Sequence, residues 1–165
     1  MKTQLLIALT ALAFAGCANY QLGTTLPEHL RTVSVETFHN TTEEPNIQSR
    51  ITSATLQEFQ RDGQLKVKSP DEADINVTGV ITEYKLDRVL ADKNNPKRTS
   101  EYRATAIVKI EAVERVSGKL IVTQSVSGSK IFAATGDLST AKRNALPEVA
   151  KDAAKKIVDA VISAW

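Results

Sequence analysis

Cys17 is the chain's single cysteine, and it stands directly after Ala15 and Gly16. Ahead of it, Met1 and Lys2 make a short positive start, and residues 5–14 form an apolar run broken by Thr10. That is the three-part layout of a bacterial secretory signal. The run is shorter than the roughly 20 apolar residues a membrane-spanning helix needs. A cysteine at this position looks like a lipobox, where the sulfur is diacylated, the signal is cleaved and the new N-terminus is acylated. Residues 1–16 are thus expected to be a lipoprotein signal peptide, and 17–165 the mature domain lipidated on Cys17. Phe14 holds the place where the pattern prefers Leu. Several acyl chains on one residue attach firmly, where a single chain is marginal. Ala18 follows; inner-membrane retention resembles an Asp there, so Ala18 favours the outer membrane. A plain signal peptide with an incidental cysteine is the alternative.

A second set of chemically capable residues lies in a polar stretch read as a loop, 87–100. Arg88, Lys93, Lys97 and Arg98 outnumber Asp87 and Asp92 there, and Arg103 follows on the polar face of the next strand. Arg and Lys are the residues that pair with phosphate. A solvated loop with a slight charge excess is the plainer reading.

Catalytic and metal patterns are missing. His29 and His39 flank the first strand and share no ligand or base–nucleophile spacing. Two His and one Cys cannot supply a four-ligand zinc site. Ser117-Gly118 and Ser127-Gly128-Ser129 lie in strand regions and do not form a nucleophile elbow. The glycines are isolated, so no phosphate-cradling loop is present. Paired carboxylates such as Glu43-Glu44 and Asp71-Glu72 sit in polar turns. The expectation is no enzyme, no metal and no cofactor.

These residues must be positioned by a modest set of elements. Val33, Val35 and Thr37 mark a half-buried strand over 32–38, and 39–44 reads as a loop. Pro45 suits a helix first turn, with Ile47, Ile51, Ala54, Thr55 and Phe59 along one stripe and Leu56 on the opposite side. Gly63 closes that helix. A short strand follows over 64–68. The next has Ile75, Val77, Gly79 and Ile81 on one face and continues to about Leu86. Tyr102, Ala104, Ala106, Val108, Ile110 and Ala112 share one face of the clearest strand. Ser117-Gly118 turns the chain into a more polar strand over 120–132. Residues 138–165 read as an amphipathic helix, with a kink or restart expected near 144–147 because an interior proline costs about 3 kcal/mol. The fold class is α+β, two amphipathic helices packed on one face of a mostly antiparallel four- to five-stranded sheet.

The whole chain has 165 residues, 21 Lys+Arg against 19 Asp+Glu, and 42% hydrophobic residues. One domain is the default at this length. The near-neutral charge and the few aromatic residues argue against nucleic-acid binding.

Several stretches together resemble the LPS-assembly lipoprotein LptE family. They are Asn19-Tyr20-Gln21-Leu22-Gly23, Leu26-Pro27, Phe38-His39-Asn40-Thr41, Phe59-Gln60-Arg61-Asp62-Gly63, Ala73-Asp74 before Val77-Thr78-Gly79-Val80-Ile81, and Glu101-Tyr102-Arg103. The resemblance implies an outer-membrane lipoprotein that plugs a large LptD-type β-barrel, helps it assemble and binds lipopolysaccharide. Under it, Lys93, Lys97, Arg98 and Arg103 are candidates to meet lipid A phosphates. A free-standing periplasm-facing lipoprotein that binds a lipid or peptide is the alternative from another class, and a cell-envelope enzyme the third.

Overall fold

The computed structural model describes residues 27, 29–91, 99–133 and 137–165, and only the backbone of 90, 91, 99 and 100. Cys17, Lys93, Lys97 and Arg98 lie outside the described residues. The elements run β1 (Thr32–Val35), β2 (His39–Asn40), α1 (Ile47–Asp62), β3 (Lys66–Val67), β4 (Ile75–Ala91), β5 (Thr99–Glu114), β6 (Leu120–Ala133) and α2 (Leu138–Ile162). The strands form one sheet in the order β3-β1-β4-β5-β6, with β2 also on β4. The long β4-β5-β6 ladder is antiparallel, and the short strands pair parallel. The class is therefore α+β with a mostly antiparallel sheet. It has one strand more than expected among the described residues, because His39 and Asn40 pair with Val80 and Ile81 instead of looping.

Both helices cover one face. Ala104, Ala106, Val108, Ile110 and Ala112 of β5 are fully buried against Ile51, Phe59, Val149, Ile157 and Val161. Arg103, Lys109 and Glu111 are exposed on the other face. In β4 the phase changes: a bulge between Ile81 and Glu83 inserts one residue. One extra residue moves every later side chain to the opposite face. Tyr84 and Leu86 thus pack against the core, where unbroken alternation would put Glu83 and Lys85.

The connections show three further departures from expectation. β1 ends at Val35, so Thr37 is exposed and Phe38, 1% exposed, enters the core. Its N–H donates to Thr52 Oγ1 at 3.0 Å, and its ring lies over Gly79, where a Cβ would come within 3.0 Å. Pro45 precedes α1 instead of opening it, since Asn46, at φ 62°, is the N-cap. Asn tolerates this left-handed conformation better than most residues. Finally, α2 passes Pro147 without a restart. Pro147 and Arg143 are both exposed, so the turn in which the Arg143 carbonyl loses its helical donor lies on the outer side of the helix, while Leu146, Val149 and Ala150 are buried.

Two local contacts fasten the layers. Asp74 ties the start of β1 to that of β4. Its Oδ2 accepts from Arg31 N (3.0 Å), Thr32 N (2.9 Å) and Thr32 Oγ1 (2.7 Å). The hydroxyl bond from Thr32, partly opposed by burial and aided by the two backbone donors and Arg115, holds this carboxyl below its ordinary 3.8. At Gly128, α2 lies directly on β6: a Cβ there would lie 2.5 Å from Ala153 N and 2.6 Å from Ala153 Cβ, and closer still to the Val149 carbonyl oxygen.

Gly128→Ala is expected to cost at least about 2 kcal/mol in denaturant melts, because helix backbone, not a side-chain tip, must move. Gly118→Ala, with open space but φ 68°, should cost about 1 kcal/mol. Equal losses at the two sites would contradict the close seating of α2. The depressed carboxyl of Asp74 contributes stability above its unfolded value that is lost as pH falls through the folded one. Asp74→Asn should therefore be less stable than wild type at neutral pH, with the gap closing as pH falls from about 5 through the acid range. A gap constant over that range would remove the charge from the account.

Candidate functional site at the far end of the hairpin

β1 and β2 reach no further along β4 than Ile81. Beyond it β4 has β5 as its strand partner, in a ladder that continues to Ala91 and Thr99. Strands of this length span about 50 Å at about 3.3 Å per residue. β6 ends beside the same tip, with Ala133 opposite Glu101, and α2 starts there. The far end thus gathers the last residues of β4, the first of β5, the last of β6 and the N-terminus of α2. Asp137 caps that helix by accepting from Thr140 N at 2.8 Å.

Of the four expected phosphate-binding residues, Arg103 is described. It is exposed on the open face of the sheet, between Asp87 of β4 and Ile131 of β6. Lys93, Lys97 and Arg98 fall outside the described residues. The polar stretch is shorter than expected, since 87–91 and 99–100 are strand. Cross-strand partners such as Asp87 opposite Arg103 suit an antiparallel ladder, so polar composition did not mark a loop there.

Two cations emerge on the helix-side face. Arg88 is opposite Tyr102, and Lys130 is opposite Ala104; both are exposed. Tyr102 and Phe132 stack between them, centroids 6.1 Å apart at 22°. A groove of about 320 Å³ adjoins the stack, lined by Phe132, Ala133, Asp137, Thr140, Ala141 and Asn144. Arg88 was visible in the sequence as a loop cation, but its place beside Tyr102 depends on the bulge. Lys130 carried no signal beyond its charge.

A polar junction fixes the nearby end of α2. Lys142 pairs with Glu44, and its Nζ lies 4.9 Å from the Tyr84 ring centroid. Burial, with a contribution from the Glu44 carboxylate, pushes the Tyr84 hydroxyl up to about 12, so Tyr84 stays neutral at physiological pH. Among the described residues no three His, Cys, Asp or Glu converge to hold a metal. His29 lies 3.7 Å from Glu114 at the opposite end of the sheet, while His39 sits in β2. No described helix is long and apolar enough to cross a membrane. The far end presents cations on both sheet faces beside an aromatic stack, an arrangement suited to an amphipathic anion.

The architecture is a two-layer α+β domain with several solved counterparts. A protein from Xanthomonas campestris is similar over 86% of this chain and 90% of that one, with 9% identity and TM-score 0.62. A minor lipoprotein from Acinetobacter baumannii is similar over 81% and 94%, at 14% identity and TM-score 0.53. A PelC dodecamer subunit from Paraburkholderia phytofirmans is similar over 84% and 94%, at 16% identity and TM-score 0.52. At these identities the likeness is one of fold. No curated protein sequence gives a significant match. The sequence model of the LptE family, described as lipopolysaccharide-assembly, matches residues 30–161. The chain belongs to the LptE family.

Proposed function

We propose that this chain is a lipid-anchored outer-membrane subunit of the lipopolysaccharide export machinery. It plugs an LptD-type β-barrel, assists its assembly and binds lipopolysaccharide; it is not an enzyme. The observation that carries this reading is the family match, which spans almost the whole described fold. The surface supports it. An outer-membrane barrel lumen is polar and wet, and the sheet face left bare by the helices carries Thr123, Ser125, Ser127, Lys109, Glu111 and Arg103. Lipid A joins phosphates to acyl chains, and the far end offers Arg88 and Lys130 beside the Tyr102–Phe132 stack and Arg103 on the opposite sheet face, with Lys93, Lys97 and Arg98 in the sequence between β4 and β5.

The anchor is tested by intact mass and fractionation. Mature protein should carry acyl chains on Cys17 and fractionate with the outer membrane, whereas Cys17→Ala should give a soluble or unprocessed chain. An unmodified Cys17 at the mature N-terminus overturns the anchor. Gentle detergent extraction should recover a stoichiometric barrel partner. Recovery of the chain alone would favour a free-standing lipoprotein.

Lipopolysaccharide contact is tested on purified, non-lipidated protein across a salt series. Replacing Lys93, Lys97, Arg98 and Arg103 together by Ser should weaken binding by about tenfold, since four exposed pairs contribute a few tenths of a kcal/mol each. Wild-type binding should fall as salt rises, because exposed pairs are screened over about 8–10 Å. Circular dichroism serves as the fold control. Equal affinity for the folded variant and wild type at low salt would remove these cations from the mechanism.

A further inference from the structure

The end of the sheet opposite the cations carries an apolar tip. Val116, in the turn that joins β5 to β6, is 78% exposed, and Leu120, the first residue of β6, is 49% exposed. The turn is firmly built. Gly118 N–H donates to Glu114 O at 2.9 Å, and Glu114 N–H to Lys119 O at 2.9 Å. Ser117 Oγ donates to the Glu114 carboxylate at 2.6 Å. Arg115 donates from N to Asp74 O at 2.8 Å and from Nε to Ala73 O at 2.7 Å. Val116 is therefore held out into water by ordered backbone, and little freedom remains to be lost when a partner covers it.

The chain enters its fold beside this turn. His29 Nε2 is 3.7 Å from Glu114 Oε1, Leu30 is buried in the core, and Arg31 and Thr32 are bound to Asp74. Ten residues separate Cys17 from Pro27, a reach of at most about 36 Å. The far-end cations Arg88, Arg103 and Lys130 lie about 35–45 Å away along the strands, at about 3.3 Å per residue.

We propose that the 115–119 turn, with Leu120, is a lipid-contacting tip that seats in the head-group region beside Cys17. This rests on the lipid anchor proposed above. Tethering raises the local concentration of lipid, so a small apolar contact is enough to orient the domain. Charges near the turn are close to balance: Arg115, Lys119 and Lys68 face Asp71, Glu72 and Glu114, with Lys68 3.8 Å from Glu72. The contact is accordingly apolar and insensitive to salt, unlike the far end. Seating this tip stands the hairpin upright and directs Arg88 and Arg103 away from the anchoring leaflet.

The test uses the full mature acylated protein on vesicles of phosphatidylethanolamine and phosphatidylglycerol. An environment-sensitive fluorophore is placed at Val116→Cys or, for comparison, at Ser49→Cys on α1; the acylated Cys17 is blocked to the label. Nitroxide lipids labelled in the head group should quench the Val116 position at least about threefold more than the Ser49 position, with no change in high salt. Val116→Asp combined with Leu120→Asp should still float with the vesicles but abolish the excess quenching of a reporter at Lys119→Cys. Equal quenching at the Val116 and Ser49 labels on protein that floats overturns the tip while leaving the anchor intact. Protein that does not float overturns both. A Val116 label silent on lipid and shielded only when a barrel subunit is added assigns the turn to a protein partner and also overturns the lipid contact.

Discussion

At Gly128 the backbone of α2 rests on the backbone of β6, with the Val149 carbonyl and the Ala153 amide in the space a side chain would fill. So close an approach is possible only if the surrounding surfaces are small. Ala104, Ala106 and Ala112 on β5 and Ala150 and Ala153 on α2 are buried in the same core. The seating also closes part of an exposed strand edge. Asp152 accepts from Ser129 N at 2.8 Å, and Lys156 donates to Ser127 O at 2.5 Å. A helix further from the sheet could not place an i,i+4 pair on the outward backbone groups of β6. Although burial raises the Asp152 carboxyl, the Ser129 amide and Lys156 outweigh it and hold the group below its ordinary value, consistent with a charged acceptor serving the edge. Unpaired strand edges invite other strands, and here the helix that completes the core also guards one.

From that packing follows the division of the sheet along its length. The near half is wide, with β3, β1 and β2 beside β4. The far half narrows to β4, β5 and β6, and only the first turns of α2 remain to cover it. The bulge after Ile81 adapts β4 to this change, turning Tyr84 and Leu86 toward α2 just where the short strands stop. Lys142 then bridges Tyr84 and Glu44, joining α2 to the segment before α1. Without that join, the hairpin would meet the helix layer at one side alone.

Much of this was legible in the sequence where a single period ran long enough. The six in-phase positions from Tyr102 to Ala112 identified the central strand and its buried face, and Gly63 identified the end of α1. The reading failed where tertiary pairing overrode local composition. His39 and Asn40 look like a loop because they are polar, yet β4 offers them backbone partners. Asp87 and Arg88 look like a loop for the same reason, yet they face Arg103 and Tyr102. Pro147 signalled a kink or a restart, and α2 runs through it without a restart, with Pro147 on the exposed side. In the candidate site, Arg103 could be placed on a polar strand face from alternation alone. The grouping of Arg88, Lys130, Tyr102 and Phe132 could not, because it depends on a bulge and a register that periodicity does not encode.

Among the described residues no three His, Cys, Asp or Glu converge to hold a metal, and the candidate features lie on faces and ends. One sheet face carries the helices, which leave Arg88 and Lys130 exposed at its far end. The other is too polar to need a second layer: Ser125, Ser127 and Lys109 are exposed on it, and Ile107 and Val113 are only half-buried. Such a face supports the proposed placement in a polar, wet barrel lumen. The two ends then differ in kind. The near end has balanced charge and holds out Val116, whereas the far end sets Arg88 and Lys130 beside two stacked rings on one sheet face and Arg103 on the other. A rigid ladder about 50 Å long keeps these ends apart, so contact at one cannot substitute for contact at the other. On the two proposals above, the lipid leaflet and the amphipathic anion are therefore met at different depths.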